Sequence, residues 1–567
     1  MNRFAARGGK YTALAAMLFA VSMTFIDQSI VSIAAPDIVR ELGLTASGVQ
    51  WVVNAYLLAM AAAFALGGRL SDVLGHRRMV LIGIAVFAVS SALCGAAPSG
   101  DIAQTWLVVF RATQGIGGAL MFPAALAIVV SVFPIEERGR ALALFFGLSG
   151  GLTALGPILG GWLTTWTWRA IFWVNIPVAI VAVVLTLRAD IRTEHRRERL
   201  DLPGAALVAA GMALAVLGLQ QAQSWGWGSA GTWACIIGGL VLLAVFVVVE
   251  LRTEVPLIKV RVFKDRAFAA DNAVLFFAMI AFVPVFFFAS VYSQVALGSS
   301  ASEAGLYLLI FFAGFGPAAQ VGGRILDKRG AKPAMLAGTL LSAAGFALWG
   351  HKATDLSLGA QWIYIVMAGA GIGLLLGPAS TDAVNRSIGA SYGEVTGITQ
   401  TVRNFSSALG MAALGTLLVH STANRITDTL RDQGLPGTEA RAVGDSIGDS
   451  ITGAGGGDHT GSGPTAELVQ RVWPAIQKDY AEATQAVFYG MAAALVLSFV
   501  ACLFHPGTRV TGDGTAVDGG SGPGDGGRPG DANPGEPGSG EPGSGTAGPG
   551  DAGLGGRTVN GSPGPRR

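Results

Sequence analysis

Charged residues are rare inside the long apolar stretches of this 567-residue chain, and the few that occur there are the candidates for chemistry. Asp27 lies in the apolar stretch 11–35, and Arg111 lies in the stretch 106–133. At about 1.5 Å per helical residue, both side chains would reach a similar depth in a bilayer core about 30 Å thick. Desolvation favours a neutral acid there and a neighbouring cation favours the carboxylate, so a small rearrangement can bind or release a proton. The alternative is a static charge pair that sets helix packing, although intramembrane charges usually mark an ion or substrate pathway.

Other ionisable residues are weaker candidates. Arg403 lies in the thirteenth apolar stretch, where it either lines a cavity near Gln400 and Asn404 or serves helix packing. Asp271 lies near the start of the ninth stretch and is either a second proton-binding carboxylate or a charge at a helix N-terminus near the membrane surface. All six histidines fall in or at the edges of loops, so we do not expect a buried imidazole to carry protons.

Several kinds of site are missing from the sequence. The cysteines Cys94, Cys235 and Cys502 are scattered and form no CxxC motif, which excludes a disulfide framework and a cysteine-rich metal site. No GxxxxGK[ST] motif is present, which argues against an ATP-driven pump. The balance of 38 Lys and Arg against 36 Asp and Glu gives no indication of nucleic-acid binding. A membrane-embedded enzyme would need clustered His, Asp or Glu at membrane depth, and the near-absence of such residues there argues against one. We therefore expect neither a cofactor nor a metal.

The elements that must position these candidates are long apolar helices. Apolar residues make up 51% of the chain and charged residues 13%, against about 25% charged in soluble domains. A membrane-spanning helix needs about 20 predominantly apolar residues. Fourteen stretches approach or exceed this length: 11–35, 49–70, 79–97, 106–133, 141–164, 170–187, 202–221, 232–249, 268–296, 304–325, 333–349, 362–380, 393–419 and 483–504. The sequence predicts an all-α integral membrane protein with 14 transmembrane helices in a lipid bilayer.

Basic residues predict how these helices are oriented. Lys and Arg are concentrated in alternate connections, for example Arg77 and Arg78 after the second stretch and Lys328, Arg329 and Lys332 after the tenth. Positive residues in short loops remain on the cytoplasmic side of a membrane. Both termini are therefore predicted to be cytoplasmic.

An internal repeat divides the chain. Residues 67–72 read GGRLSD and residues 322–327 read GGRILD, and each segment closes an apolar helix before a short basic loop. Duplicated halves are typical of secondary transporters, in which the substrate site lies between the repeats. The two segments follow the second and the tenth stretch, so they are eight helices apart rather than six. The seventh and eighth stretches are therefore predicted to be an inserted pair.

The repeat and the local composition together predict the domains. The chain after residue 506 is rich in Gly, Pro, Ser and Asp and has too few apolar residues to offset the entropy of ordering. The predicted units are an N-terminal six-helix bundle at 1–190, the inserted pair at 200–250, a C-terminal six-helix bundle at 265–505 with a long outer loop at about 420–482, and a disordered cytoplasmic tail at 506–567.

Several of these segments resemble one known family. The loop at 68–78 closely resembles the loop 2–3 signature of the major facilitator superfamily, and the segment 107–117 is similar to its helix 4 signature. The segment 151–161 resembles the helix 5 motif associated with exporters. The segments 25–36 and 168–177 resemble motifs of the fourteen-helix drug:proton antiporters. Two departures are Ser32, where that family usually has Asn, and the second-half loop, which is degenerate after Asp327.

The residues themselves and the resemblance together give three groups of candidate site residues. Those for proton coupling or substrate binding are Asp27, Arg111, Gln114 and Arg403. Those of a gate loop are Gly68, Asp72, Gly75, Arg77 and Arg78. Those of the antiporter motif are Gly151, Gly156, Pro157, Gly160 and Gly161, which act either as a hinge or leak-tight gate or in close packing alone. The carboxylate of Asp72 would accept hydrogen bonds from helix-terminal N–H groups of the opposite half, or it would pair with Arg77 or Arg78.

The implied function is efflux coupled to protons. A hydrophobic or cationic drug-like compound would leave the cell by alternating access while protons enter, which would confer resistance. The alternative is an exporter dedicated to one endogenous metabolite or self-made antibiotic. Arg greatly outnumbers Lys, and Gly and Ala are abundant, which suggests a bacterium with GC-rich DNA, so the predicted location is the bacterial cytoplasmic membrane. We expect the protein to act as a monomer on a small-molecule substrate.

Overall fold

In a computed structural model, the described residues are 2–133, 141, 145, 152–153, 155–189, 201–254, 256–386, 392–454, 464–507, 509–510 and 516–517. They are almost entirely α-helical, which confirms the predicted all-α class. The first group of helices is α1 (Asn2–Leu42), α2 (Ala46–Leu74), α3 (His76–Gly95), α4 (Ala103–Val132), α5 (Leu155–Thr164), α6 (Ala170–Trp173), α7 (Asn175–Arg188), α8 (Leu202–Trp225) and α9 (Ala230–Arg252). A 3₁₀ turn, Val260–Lys264, separates them from the second group.

The second group of helices forms the C-terminal half. It comprises α10 (Arg266–Phe282), α11 (Pro284–Val295), α12 (Ala301–Arg329), α13 (Ala331–Ala353), α14 (Leu358–Asn385), α15 (Tyr392–Asp432), α16 (Gly437–Ala454) and α17 (Pro464–Leu503). Two antiparallel strands of two residues follow, β1 (Arg509–Val510) and β2 (Ala516–Val517). The remainder of the predicted disordered tail lies outside the described residues.

Thirteen helical segments of the described chain are long and apolar enough to cross a membrane. The fifth predicted stretch, 141–164, lies largely outside the described residues, and α5 is its described end. The ninth stretch is one span made of α10 and α11, interrupted at Val283. Pro284 has no N–H to continue the helical hydrogen bonding, which accounts for the interruption. The helix count therefore agrees with the predicted architecture.

The predicted long outer loop at 420–482 is largely helical in its described parts, and its place on the outer side stays a prediction. It is built from the end of α15, from α16 and from the start of α17. Ile426 and Leu430, four residues apart on α15, are buried, as are Val472 and Ile476 on α17. Apolar residues at this spacing form one face of a helix and leave the rest polar, so the segment has too little overall hydropathy to resemble a membrane span.

The two halves meet along two equivalent contacts. Helix α2 packs against α15, and α5 packs against α12. The GGRxxD repeat makes α2 and α12 equivalent, and α5 and α15 belong to the fifth span of each half, so the two contacts are related by the repeat. Helix α8 of the inserted pair packs against both α2 and α15, while α9 packs against α8. The inserted pair therefore lies beside one of the two contacts between halves.

The repeated loops also have the same backbone geometry. Gly75 ends α2 with a φ of +94°, and Gly330 ends α12 with a φ of +82°. Each glycine N–H donates at 3.0 Å to the carbonyl oxygen four residues earlier, that of Ser71 or Leu326. A positive φ favours glycine, so both loops need a glycine at this position. The repeat in the sequence is thus a repeat in structure.

Candidate functional site

Asp27 and Arg111 form an ion pair inside the N-terminal half. Nη1 of Arg111 lies 2.5 Å from Oδ2 of Asp27, and their side chains are 1% and 0% exposed. The side-chain amide of Gln114 donates to the other carboxylate oxygen at 3.0 Å and accepts from Nη1 of Arg111 at 2.8 Å. The sequence placed Asp27 and Arg111 at a similar depth, and the structure brings α1 and α4 together so that the side chains touch.

Helix α2 holds the guanidinium of Arg111 from another side. Nε of Arg111 donates to the carbonyl oxygen of Val52 at 3.1 Å. The ring centroid of Tyr56 lies 4.3 Å from Cζ of Arg111, a distance at which a cation and an aromatic ring attract each other. Arginine does not lose its proton in proteins, so Asp27 is the member of the pair that can change its protonation state.

Proton binding by Asp27 would have a structural consequence. A protonated Asp27 no longer compensates the charge of Arg111, and a buried charge that loses its partner costs several kcal/mol. The cost is avoided when the helices rearrange or when water or another anion reaches the guanidinium. The geometry therefore links proton binding to a change in the packing of α1, α2 and α4.

A small cavity of about 10 Å³ lies between the two halves, next to the ion pair. Its residues come from α1, α2 and α4 on one side and from α10 and α15 on the other: Thr24, Phe25, Gln28, Met60, Phe64, Phe122, Met279, Gln400, Arg403 and Asn404. The ring of Phe122 packs against those of Phe25 and Phe64, with centroids 5.9 and 5.6 Å apart. The wall from the N-terminal half is thus mainly apolar, and the wall from the C-terminal half is mainly polar.

Arg403 is the cation of this cavity. Its Nη1 donates to the side-chain oxygen of Gln400 at 2.8 Å, while its Nε has no hydrogen-bond partner. No carboxylate of the described residues forms an ion pair with it. Arg403 therefore differs from Arg111, whose charge is compensated by Asp27. The structure places Arg403 in the predicted cavity but not in the Asp27 group.

One layer of side chains separates the cavity from the ion pair. Thr24 lines the cavity, and its carbonyl oxygen accepts a hydrogen bond of 3.3 Å from the hydroxyl of Tyr56. The ring of Tyr56 in turn lies against the guanidinium of Arg111. A compound in the cavity and a proton on Asp27 would therefore both affect the contacts of Tyr56 with Thr24 and with Arg111.

The predicted gate loop joins α2 to α3. Arg77 donates to the carbonyl oxygen of Leu187 at 2.8 Å, at the C-terminal end of α7 in the same half. A cation is favourable at a helix C-terminus. Three further residues of the predicted gate loop are at least partly exposed, namely Gly68, Asp72 and Arg78. A contact of Asp72 with the opposite half stays a prediction.

The antiporter motif contains the closest approaches of α5 to other helices. Gly160 faces α1, where a methyl group in place of its hydrogen would lie 3.1 Å from the carbonyl oxygen of Ile30. Gly156 and Pro157 are also buried in α5, and Gly156 packs against α1 as well. Gly151 lies outside the described residues.

Gly161 of the same motif faces the other half of the protein. A methyl group there would lie 2.9 Å from Cα of Ser302 in α12. The hydroxyl of Ser302 donates to the carbonyl oxygen of Gly161 at 3.1 Å. The small residues therefore allow close contact both within the N-terminal half and between the halves, as either role predicted for the motif requires.

A second ionisable cluster lies in the C-terminal half, and the sequence did not connect its members. It consists of Asp271 on α10, Asp382 and Arg386 at the end of α14, and His505 just after α17, all of them buried. His505 lies at a helix edge as predicted but is buried, because the chain leaving α17 passes between α10 and α14. The sequence did contain one indication of this cluster. Asp382 and Arg386 follow an apolar stretch and are four residues apart, a spacing at which they can pair on a helix.

Comparisons with known proteins agree with this architecture. The family model of the Major Facilitator Superfamily matches residues 17–411. The tetracenomycin C resistance and export protein of Streptomyces glaucescens is 32% identical over 448 residues, covering 78% of this chain and 82% of the relative. The cephamycin export protein CmcT of Amycolatopsis lactamdurans is 35% identical over 433 residues, covering 73% and 86%. A bacterial homolog of the human lysosomal transporter Spinster, in an inward-facing conformation, superimposes with a TM-score of 0.56 at 18% identity, covering 88% of this chain and 97% of that one.

The chain belongs to the major facilitator superfamily. It is a multi-pass membrane transporter of small molecules and not an enzyme. Its curated relatives include proteins of antibiotic export and resistance.

Proposed function

We propose that this transporter exports a bulky, largely apolar compound from the bacterial cytoplasm in exchange for protons. The supporting observation is the buried Asp27–Arg111 pair beside an aromatic cavity between the halves. Asp27 binds the incoming proton, Arg111 and Gln114 set when it does so, and the exported compound binds between the halves, where the small cavity must widen to admit it. Both termini are cytoplasmic in this proposal, and one copy of the chain suffices because cavity and ion pair lie in the same chain.

The experiment is transport by the purified full-length protein in proteoliposomes. In vesicles whose lumen corresponds to the cell exterior, an acidic lumen should drive accumulation of an exported compound inside the vesicle. An uncoupler should collapse this accumulation. Addition of the compound without a gradient should move protons in the opposite direction. Transport that is indifferent to the pH gradient and to the uncoupler would contradict proton coupling.

A second candidate function is the export of one compound made by the producing cell. The names of the tetracenomycin C and cephamycin relatives favour this candidate, and the multidrug transporter protein MdtP of Bacillus subtilis, 30% identical over 421 residues, favours broad efflux. A resistance screen against chemically diverse compounds separates them. Resistance to one structural class indicates a dedicated exporter, and resistance to many unrelated classes indicates broad efflux.

The charge of the cavity bears on the exported compound. Arg403 lacks an acidic partner in the described residues, so a compound with a carboxylate or another acidic group would supply one. A cationic compound, which the family resemblance allows, would be repelled by the same guanidinium. Aromatic parts of the compound would pack against Phe25, Phe64 and Phe122. The cavity therefore favours apolar compounds that carry an acidic group.

Replacing Arg403 by glutamine should weaken the export of an aromatic carboxylic acid more than that of its methyl ester. Loss of a hydrogen bond to a charged group costs about 1.5–3 kcal/mol, so the KM for the acid should rise roughly 10- to 150-fold. Arg403→Lys, which keeps the charge, is the matched control and should retain part of the preference. Equal effects of Arg403→Gln on acid and ester would contradict the assignment. KM values for both compounds in the proteoliposome assay decide the outcome.

A further inference from the structure

The buried cluster of the C-terminal half contains one more negative group than its positive group can balance. Nε of Arg386 lies 2.6 Å from Oδ2 of Asp382, so Arg386 compensates the charge of this carboxylate. Neither oxygen of Asp271 accepts a hydrogen bond from the described residues, although the side chain is 0% exposed. One oxygen of each carboxylate and a ring nitrogen of His505 lie within 4.8 Å of one another. Two ionised carboxylates at this distance, with one cation between them, are unfavourable in a buried site.

Hydrogen bonding at His505 shows which form its ring takes. Its Nδ1 accepts a hydrogen bond of 3.0 Å from the backbone N–H of Gly507, so Nδ1 carries no proton. A neutral imidazole then carries its proton on Nε2. Nε2 lies 3.1 Å from Oδ2 of Asp382 and 3.5 Å from Oδ1 of Asp271, so the ring is directed at both carboxylates. A second proton on Nδ1 would face the N–H of Gly507.

The same tautomer argues against a metal ion. Two carboxylates and one imidazole are a ligand set that divalent metals use. A metal bound at Nε2 would need the lone pair of that nitrogen, which in this tautomer is replaced by the N–H directed at Asp382. The guanidinium of Arg386 also already occupies Oδ2 of Asp382. This arrangement does not fit a divalent metal ion bound at Nε2.

Within the described part of the chain, the other charged groups nearby do not supply the missing positive charge. On the side of α13, Nζ of Lys332 donates to the carbonyl oxygens of His505 and Leu503, at 2.5 and 3.2 Å. Cys502 of α17 lies with its sulfur 3.8 Å from the carbonyl oxygen of Lys332. Helix α15, which also packs against α10, contributes no described titratable group to the cluster. Among the described residues, these contacts add no cation to the pair of carboxylates.

The groups that precede Asp271 in the chain face away from the cluster. Asp265 is exposed and caps α10 by accepting from the N–H groups of Ala267 and Phe268. Arg261 and Lys264 of the preceding 3₁₀ turn are exposed as well. None of these exposed groups can neutralise a buried carboxylate without being desolvated itself.

We propose that Asp271 is a second proton-binding site and that it holds a proton in this conformation. The site lies at the end of the C-terminal half where α12 meets α13, because α10 begins and α17 ends there. Loss of the proton would leave two carboxylates facing each other and would loosen the packing of α10, α14 and the segment after α17. A role of this proton in transport rests on the proposed proton coupling, whereas its binding to Asp271 does not.

The test is infrared difference spectroscopy of the purified full-length protein in the Asp27→Asn background, where the first site cannot contribute. Exchange into D₂O should shift a carboxylic C=O band, and the double variant Asp27→Asn/Asp271→Asn should lose that band. Asp265→Asn, on the same helix, is the matched control and should keep it. An unchanged band in the double variant would overturn the proposal. So would stoichiometric binding of Zn²⁺ or Mn²⁺, measured by calorimetry and abolished by Asp271→Asn.

Thermal unfolding gives an independent measurement. Asparagine has the shape of a protonated aspartate, so Asp271→Asn should fold and should keep the unfolding midpoint of the wild type at low pH. Raising the pH should lower the midpoint of the wild type by ionising Asp271, and Asp271→Asn should lose this part of the pH dependence. The same pH dependence in both proteins would overturn the proposal. Proton-independent transport with the Asp271 band present would instead contradict the proposed function alone.

Discussion

Asp27→Asn is expected to abolish accumulation driven by the proton gradient while leaving the protein folded. Asparagine mimics the protonated carboxyl but cannot release a proton, so the variant stays in the proton-loaded form. A coupling free energy between two sites is typically about 1–3 kcal/mol, and its loss should lower the gradient-driven accumulation ratio by roughly 5- to 150-fold. The measurement is uptake of an exported compound into proteoliposomes with and without a pH gradient, together with exchange at equal concentrations on both sides.

The matched control for this variant is Asp37→Asn. Asp37 lies on the same helix, pairs with Arg40 at 3.1 Å, and has a side chain that is 29% exposed. Its replacement should leave the accumulation ratio close to that of the wild type. Exchange without a gradient should persist in Asp27→Asn, since the cavity residues are unchanged. Full retention of uncoupler-sensitive accumulation in Asp27→Asn would remove Asp27 from the coupling mechanism.

Arg111→Gln is expected to have the largest effect on stability. The guanidinium donates to Asp27, to Gln114 and to the carbonyl oxygen of Val52, and all of these groups are buried. Removing one member of a buried ion pair costs about 3–5 kcal/mol when the other member remains charged. The loss should become smaller at low pH, where Asp27 can be protonated. The free energy of unfolding, or the unfolding midpoint in one detergent at several pH values, measures it.

A double-mutant cycle separates the ion pair from its surroundings. In Asp27→Asn/Arg111→Gln no buried charge is left, so the double variant should be more stable than Arg111→Gln alone. The control is Arg40→Gln, which breaks the exposed pair with Asp37 and should cost at most about 1 kcal/mol. Losses that simply add in the double variant would show that Asp27 and Arg111 do not interact energetically.

The helical architecture could be predicted from the sequence because each membrane span can be recognised from its local composition. A span must satisfy its backbone hydrogen bonds internally and present apolar side chains to lipid, so it appears as one continuous apolar stretch. The repeat at Gly75 and Gly330 was equally visible, since only glycine readily adopts the backbone angles of both loops. These signals need no knowledge of the neighbouring helices.

The helical part of the segment 420–482 could not be predicted in the same way. Ile426 and Leu430 are apolar and buried, but they alternate with polar residues that face outward. A scan for continuous apolar stretches therefore does not detect these turns. Their burial depends on the packing of α15 and α17 against each other, which is a property of the assembled bundle.

The Asp27 and Asp271 clusters likewise separate what the sequence predicts from what helix packing decides. The sequence by itself determined that Asp27 and Arg111 are costly enough at membrane depth to require a partner. It also predicted two related halves with an inserted pair between them. Only the tertiary structure decided which charges meet, because Asp27 with Arg111, and Asp271 with Asp382 and His505, come from helices far apart in the chain. A buried charge is stabilised by whatever lies within a few ångströms, and that neighbourhood is set by helix packing rather than by sequence spacing.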